Sequence, residues 1–365
     1  MNAQQKKVRA IFESLDSQLV ERNEVLRGFI VAVLARKHLF AIGPPGTAKS
    51  LVGEKFCKSV TNANYFEWLM GKFTKPEDIF GPVRVTKLKE DKYERNTTHQ
   101  LPEAHIAFLD EIWKASDSIN ASLLRITDES RRFYQSGQTY QTPIHSVFAA
   151  SNELPEDMGN ALWDRFLLRY YVGDIVDDAN FKKMMQMNGF KITETITLEE
   201  LEKAQAQVDK VTIPEAILDT VVELRSKMKR EGFEFSPRRW NESNKILQAH
   251  AWFEGRNEVT SDDLGMLANI FWNQPDEQRQ VRQIIFSFCN PELEKALVIL
   301  DTVTELHGNA LEADTTAAGA EANDKIKKLL KGFPTVVNNA KVDEVRSKID
   351  DLQREVLTTV LQMNL

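Results

Sequence analysis

The stretch His38-Leu-Phe-Ala-Ile42-Gly43-Pro44-Pro45-Gly46-Thr47-Ala48-Lys49-Ser50 decides the fold. A short apolar run that stops at a glycine-proline turn reads as a buried strand. Val52, Phe56 and Val60 follow at a spacing of four, which starts a helix. A strand, a glycine-rich turn ending in Lys-Ser, and a helix form the context that a phosphate-binding loop requires. All the residues of the turn, Gly43, Pro44, Pro45, Gly46, Thr47, Ala48, Lys49 and Ser50, are therefore read as nucleotide-binding. Gly43 and Gly46 let backbone N–H groups curl around an anion. Lys49 reaches the β- and γ-phosphates, and the Ser50 hydroxyl ligates Mg²⁺. The following helix directs its positive end at the phosphates. Ala48 stands where glycine is commonest; near-helical backbone angles would make alanine inexpensive there.

Outward from this loop, similar apolar runs occur at Tyr65–Leu69, His105–Asp110, Ser146–Ser151 and Leu167–Val172, with helical patterns between most of them. Strands alternating with helices predict a parallel sheet covered on both faces. The run Ile106-Ala-Phe-Leu-Asp110-Glu111 ends in two carboxylates about 60 residues after the loop. Asp110 is placed to hold the Mg²⁺ shell, and Glu111 to deprotonate a water attacking the γ-phosphate, a role worth about 10²–10⁴ in rate. Asn152 ends the next strand and is placed to hydrogen-bond that water or the phosphate. Two hairpins interrupt the alternation: Val83–Leu88 with Tyr93–Thr97, and Arg132–Gln135 with Thr139–Thr142 around Ser136-Gly137.

Beyond residue 175 the strand signals fade and helices are predicted at Leu198–Val208, Pro214–Arg230, Pro237–Glu254 and Ser261–Trp272. The last 90 residues read as a helical arm: Leu293, Leu297, Leu300 and Leu306 mark one helix, and Gly308–Asp324 a loose link. Val342, Val345, Ile349, Leu352 and Val356 form a short coiled-coil-like seam. The expected domains are a nucleotide-binding core at 1–175, a helical lid at 176–275 and the arm at 276–365.

The 365 residues are 42% hydrophobic and 28% charged, enough apolar material for real cores, so wholesale disorder is excluded. The formal net charge of −7 counts against a dedicated nucleic-acid binder. No apolar run approaches the ~18 residues of a membrane span. Cys57 and Cys289 have no metal-ligand spacing, and a reducing, cytoplasmic setting is expected.

These motifs resemble those of AAA+ ATPases and, within them, the MoxR group. GPPGTAKS is similar to its Walker A motif and AFLDEIWKAS to its Walker B segment. The Asp110–Ala115 string, Phe66–Pro82, YERNTTHQLPEA and AASNELPE resemble the RavA branch. The resemblance covers about residues 5–275. It implies an α/β core with a helical lid, ATP with Mg²⁺, and a homohexameric ring with nucleotide at subunit interfaces. The hairpin at 83–97 would be the helix-2 insert and that at 131–145 the pre-sensor-1 hairpin, and an adenine would sit near Leu19–Glu24, just before the core. Asn152 matches sensor 1, and Leu162-Trp-Asp-Arg165-Phe the segment carrying the arginine finger, with Arg169 next in line. Ser236-Pro-Arg238-Arg239-Trp240 matches the start of the sensor 2 helix, with Arg238 favoured over Arg239. The β-rich module that follows the lid in RavA-type chains has no counterpart in the last 90 residues. The expected function is ATP-driven remodelling of a protein partner, such as a von Willebrand factor A domain protein. The alternatives are a nucleic-acid-dependent motor (MCM-like or McrB-like) and a scaffold assembled on ATP.

Overall fold

The computed structural model describes every residue except 136, 157–160, 188, 314, 335–339 and 362–365. Five parallel strands make the central sheet: β1 (Leu39–Ile42), β2 (Tyr65–Leu69), β3 (Ile106–Asp110), β4 (Ser146–Ser151) and β5 (Leu168–Tyr171), in the order β2-β3-β4-β1-β5. The three inner strands are almost wholly buried apolar runs, as a sheet covered on both faces demands. The edge strand β2 instead alternates in exposure. Register aligns Ile42 with Ser151 and Leu69 with Asp110, so the C-terminal ends of the strands converge. In open sheets of this kind that end carries the ligand site.

Of the two N-terminal helices, the second packs on the sheet and the first on helices. The first, α1 (Ala3–Asp16), starts in a capping box between Asn2 and Gln5. The second, α2 (Asn23–Leu34), is buried almost all round, with the Phe29 ring 4.2 Å from Phe148 of β4. The helix α3 (Lys49–Lys58) follows the glycine-rich turn.

The chain forms two compact units. One comprises Met1–Asp219 with Gly232–Gln278; the other comprises Thr220–Glu231 with the residues from Arg279 onward. In the second unit Leu293, Ala296 and Val303 of the helix Pro291–Ala313 pack in one cluster with Val342, Val345 and Ile349 of the helix Ala340–Glu355. The apolar seam read from the sequence thus finds its partner in the preceding tail helix.

Several expectations are corrected. Gly308–Asp324 is no loose link: it lies in the helices Pro291–Ala313 and Thr316–Leu330, apart from residue 314, which is outside the described residues, and Thr315, which caps the second helix. Alanine favours helix, and the small residues serve close packing, since a Cβ on Gly319 would lie 2.7 Å from Val360. Val85–Leu88 is a short helix rather than a strand; only the base of that insert pairs, through Val83 and Arg95. Val85 and Leu88 are both exposed, so no sheet face exists there to reward extension. The second hairpin forms from Arg132–Gln135 and Gln138–Gln141, with Ser136 of its turn outside the described residues. Ser261–Asn269 is 3₁₀ rather than α, and the helix Asp178–Gln186 and the strand pair Val60–Thr61 with Ile196–Thr197 were not anticipated. Among the described residues no helix is long and apolar enough to cross a membrane.

Candidate functional site

The turn after β1 is shaped by two glycines for different reasons. A Cβ on Gly43 would stand 2.0 Å from the Val172 carbonyl, so close backbone approach to the residue after β5 forces glycine there. Gly46 has open space around it but a φ of +84°, a conformation that side chains other than glycine's rarely adopt. Ala48 corrects the sequence expectation: its φ of +65° is left-handed, not helical. For an L-residue that costs about 1–2 kcal/mol. Ala48→Gly gives back about 0.4–1 kcal/mol through the freer unfolded chain. The variant is therefore expected to raise stability in urea unfolding by up to about 1 kcal/mol. A clear loss of stability would show that the left-handed turn carries no strain.

Lys49 is buried, and its ammonium donates to the carbonyls of Gly43 (2.7 Å) and Pro44 (2.7 Å) and to Asn152 Oδ1 (3.1 Å). Burial pushes this ammonium down from its ordinary value, against the opposing pull of Asp110 and Glu111. The Ser50 hydroxyl donates to Asp110 Oδ2 at 2.8 Å, and the other Asp110 oxygen accepts the Glu111 N–H at 3.0 Å. Glu111 has a φ of +51°. Its carboxylate takes the Ser151 hydroxyl at 3.3 Å and the Lys114 ammonium at 3.2 Å. Strained backbone of this kind gathers at functional sites. The structure thus brings Lys49, Ser50, Asp110, Glu111 and Asn152 together at the strand ends.

The chemistry of this set fits a Mg²⁺-nucleotide. A hydroxyl and a carboxylate already in contact are hard oxygen donors that match Mg²⁺. A single buried ammonium is held beside backbone carbonyls, which a charged phosphate oxygen outcompetes as acceptor.

Sequence reasoning missed three residues here. Ser151 and Lys114 position Glu111, and only the register of β4 beside β3 and the turn after β3 reveal them. Arg22 is buried and ties the loop down, donating to the carbonyls of Thr47 (3.0 Å) and Gly173 (2.8 Å). It lies inside the Leu19–Glu24 stretch read as the adenine region. Glu21 in the same stretch accepts the Val176 and Asp177 N–H groups, at 2.9 and 3.1 Å.

Arg165 and Arg238 stand elsewhere. Both guanidinium groups reach Asp128 Oδ1 at 3.1 Å. Although burial works against it, hydrogen bonds from Ser130 and Arg238 and the charge of Arg165 hold the Asp128 carboxyl below its usual range. Asp128 follows Thr127, whose carbonyl meets the His38 ring at 3.0 Å, just before β1 begins. Arg165 likewise precedes β5. The pair therefore sits at the N-terminal edge of the sheet, with the glycine-rich turn at the other. At about 3.3 Å per residue the four residues of β1 separate these edges by roughly 13 Å, beyond an arginine side chain.

Arg239 and Arg169 are buried pins. Arg239 donates to Asp164 Oδ1 (3.0 Å) and Asn273 Oδ1 (3.2 Å), and Ser236 donates to Asp164 Oδ2 (3.2 Å). Arg169, with no exposed surface, donates to the carbonyls of Phe166 (3.1 Å) and Trp163 (2.8 Å) and to Asn273 (2.9 Å). Its guanidinium lies 3.8 Å from the Trp163 ring. This excludes Arg169 as a reserve arginine finger. Asp164→Ala is expected to cost about 3 kcal/mol in urea unfolding, because it strands the buried Arg239 charge. A loss below about 1 kcal/mol would show that the pair contributes little.

A five-strand parallel sheet in this order, with a glycine-rich Lys-Ser turn after β1 and paired carboxylates ending β3, defines a P-loop nucleotide-binding protein. The chain belongs to the MoxR family of AAA+ ATPases: the family model for the MoxR domain of MoxR-vWA-beta-propeller ternary systems matches residues 6–213. An AAA lid domain model matches residues 216–285. An uncharacterized protein of Methanocaldococcus jannaschii is 35% identical over 317 residues, 86% of this chain and 82% of its own length. The chaperone MoxR1 of Mycobacterium tuberculosis is 28% identical over 170 residues, 45% of this chain and 44% of its own. The crystal structure of a candidate ATPase from Cytophaga hutchinsonii superimposes with a TM-score of 0.63 at 18% identity, covering 79% of this chain and 95% of that one. At that identity the likeness concerns the fold.

Proposed function

We propose that the chain hydrolyses ATP in a homohexameric ring and uses the cycle to remodel a protein partner. The observation that carries this reading is the placement of Arg165 and Arg238 on one carboxylate at the sheet edge opposite the P-loop. Neither can serve its own chain's site, but a neighbour in a ring receives both at its γ-phosphate. In this reading Gly43 to Ser50 cradle the phosphates, Lys49 neutralises them, and Asn152 orients the attacking water. Glu111 takes the proton of that water as its oxygen forms the bond to phosphorus and the bond to the β,γ-bridging oxygen breaks. Ser50 and Asp110 would hold Mg²⁺, which when bound would supply charge neutralisation at the phosphates. Arg165 stabilises the transition-state charge and Arg238 senses the γ-phosphate.

The partner is proposed as a von Willebrand factor A domain protein, since the matching family model describes MoxR domains working in systems with one. The closer likeness to the RavA branch rests on the Asp110–Ala115 string and its companions alone. We keep the division into a core at 1–175, a lid at 176–275 and an arm at 276–365 as the functional one. A cytoplasmic setting suits two cysteines held as thiols, Cys57 and Cys289.

The test is turnover as a function of chain concentration, with and without a von Willebrand factor A domain protein or DNA. Activity per chain is expected to rise steeply with concentration as rings assemble, and to respond to the protein and not to DNA. Concentration-independent turnover would overturn the ring, stimulation by DNA alone would favour the nucleic-acid motor, and no turnover the scaffold.

A further inference from the structure

A cavity of about 240 Å³ lies under the N-terminal edge of the sheet, beside Asp128. Four carboxylates line it, and each already has a cation. Glu129 and Glu242 both meet Lys37 at 3.3 Å. Glu242 and Asp128 share Arg238, and Asp209 meets Lys245 at 2.8 Å. Arg165 adds a second guanidinium to Asp128.

Two further cations line the same cavity, Arg36 and Arg131. Arg36 donates Nε–H to Gln205 Oε1 at 2.8 Å, and Arg131 donates from Nη2 to the Arg36 carbonyl at 2.9 Å. Among the described residues neither has a carboxylate partner within ion-pair distance, so the remaining N–H groups of two adjacent guanidiniums are unspent on charge. Burial and then the Arg36 charge push Arg131 down to about 10, against the pull of Glu129. Burial pushes His145 down to about 4 and His38 to about 3, with Arg36 the next cause at His145 and Arg131 at His38. Both arginines also hold left-handed backbone, with φ of +53° and +45°. Strain of this kind persists where the surroundings fix it, ligand clamps among such places.

We propose that this cavity is an oxyanion site, distinct from the P-loop, in which Arg36 and Arg131 clamp a phosphate or carboxylate group. Planar guanidinium forks match the geometry of such oxyanions in a way that ammonium groups do not. The oxyanion comes either from free phosphate or from an acidic side chain of a second copy of this chain.

The experiment is equilibrium dialysis of labelled inorganic phosphate against the full chain carrying Lys49→Ala, which silences the P-loop, at constant chloride. One saturable phosphate per chain is expected. Arg36→Gln and Arg131→Gln, each added to that background, are expected to weaken binding at least tenfold, while Arg131→Lys, which keeps the charge, retains most of it. Circular dichroism separates loss of the site from loss of fold, and Arg36→Gln reports alone if Arg131→Gln fails to fold. Repeating the titration at rising chain concentration distinguishes the sources. Phosphate that is displaced by self-association points to a carboxylate of the second copy; phosphate binding indifferent to it points to the free ion. Absence of saturable binding at every chain concentration, or binding unchanged in both glutamine variants, would overturn the proposal.

Discussion

Lys49→Ala is expected to lose ATP binding, whereas Glu111→Gln is expected to bind ATP and hold it. The lysine ammonium is the one P-loop cation and stands at the mouth of the cradle, within 2.7 Å of two loop carbonyls and 3.1 Å of Asn152. Its replacement removes the positive charge that the β- and γ-phosphates need. Each hydrogen bond to a charged group is worth about 1.5–3 kcal/mol. Losing two of them weakens affinity by roughly 10²–10⁴. Glu111→Gln leaves Lys49, Ser50 and Asp110 in place, and the amide can still accept from the Ser151 hydroxyl. What disappears is the base that takes the proton of the attacking water, at a cost of about 10²–10⁴ in turnover. Filter binding and phosphate release, measured on both variants, separate the two effects. Equal ATP affinity in the two would sink this division of roles.

How far the sequence carries depends on whether a residue's partner is local. The strand before Gly43, the carboxylates after Ile106-Ala-Phe-Leu and the asparagine after Ser151 are legible because the P-loop is a contiguous motif and buried parallel strands are unbroken apolar runs. Geometry that depends on the neighbouring strand is not. Ser151 reads as an ordinary strand residue, and only the pairing of β4 with β3 sets its hydroxyl beside Glu111. Ala48 misled for a different reason. A helix follows directly, so helical angles looked natural, yet the turn must reverse direction before Lys49 and does so through left-handed backbone. Arg169 carries no local sign of burial: its guanidinium is covered by Trp163, bonded to the nearby Trp163 and Phe166 carbonyls, and completed from far along the chain by Trp272 and Asn273. The Gly308–Asp324 link failed because small residues were read as freedom, whereas in a helix pair they permit close approach.

The same logic explains why the two arginines on Asp128 matter more than their motifs suggest. A sequence match places Arg165 in a finger segment and Arg238 at a lid helix start, 73 positions apart and without a shared context. The structure gives them one anion, on one edge. Asp128 holds both guanidiniums on one carboxylate oxygen. Arg239 and Asp164 brace this arrangement from behind, joining the helix that carries Arg165 to the helix that carries Arg238. In the ring we propose, a pair so mounted would be presented together to a neighbour's phosphate.

The consequence is a complementation result. Arg165→Ala is expected to bind ATP normally and lose turnover by about 10³–10⁵, the contribution of a trans-supplied guanidinium to nucleotide hydrolysis. Lys49→Ala is inactive for the opposite reason, since its own cradle is broken while its arginine remains. Mixed together, the two dead chains build some interfaces in which an intact P-loop from one meets an intact Arg165 from the other. Activity is therefore expected to return on mixing, with a maximum at an intermediate ratio, because each chain alone supplies none. Asp128→Asn offers a check on the mounting. It frees both guanidiniums without removing either, so it should retain ATP binding and complement Lys49→Ala as Arg165→Ala does only if Asp128 itself is needed to position the finger. Subunit exchange is verified with differently labelled chains. If the chains exchange and no activity returns in the Arg165→Ala mixture, Arg165 does not act across an interface, and its place beside Asp128 is structural.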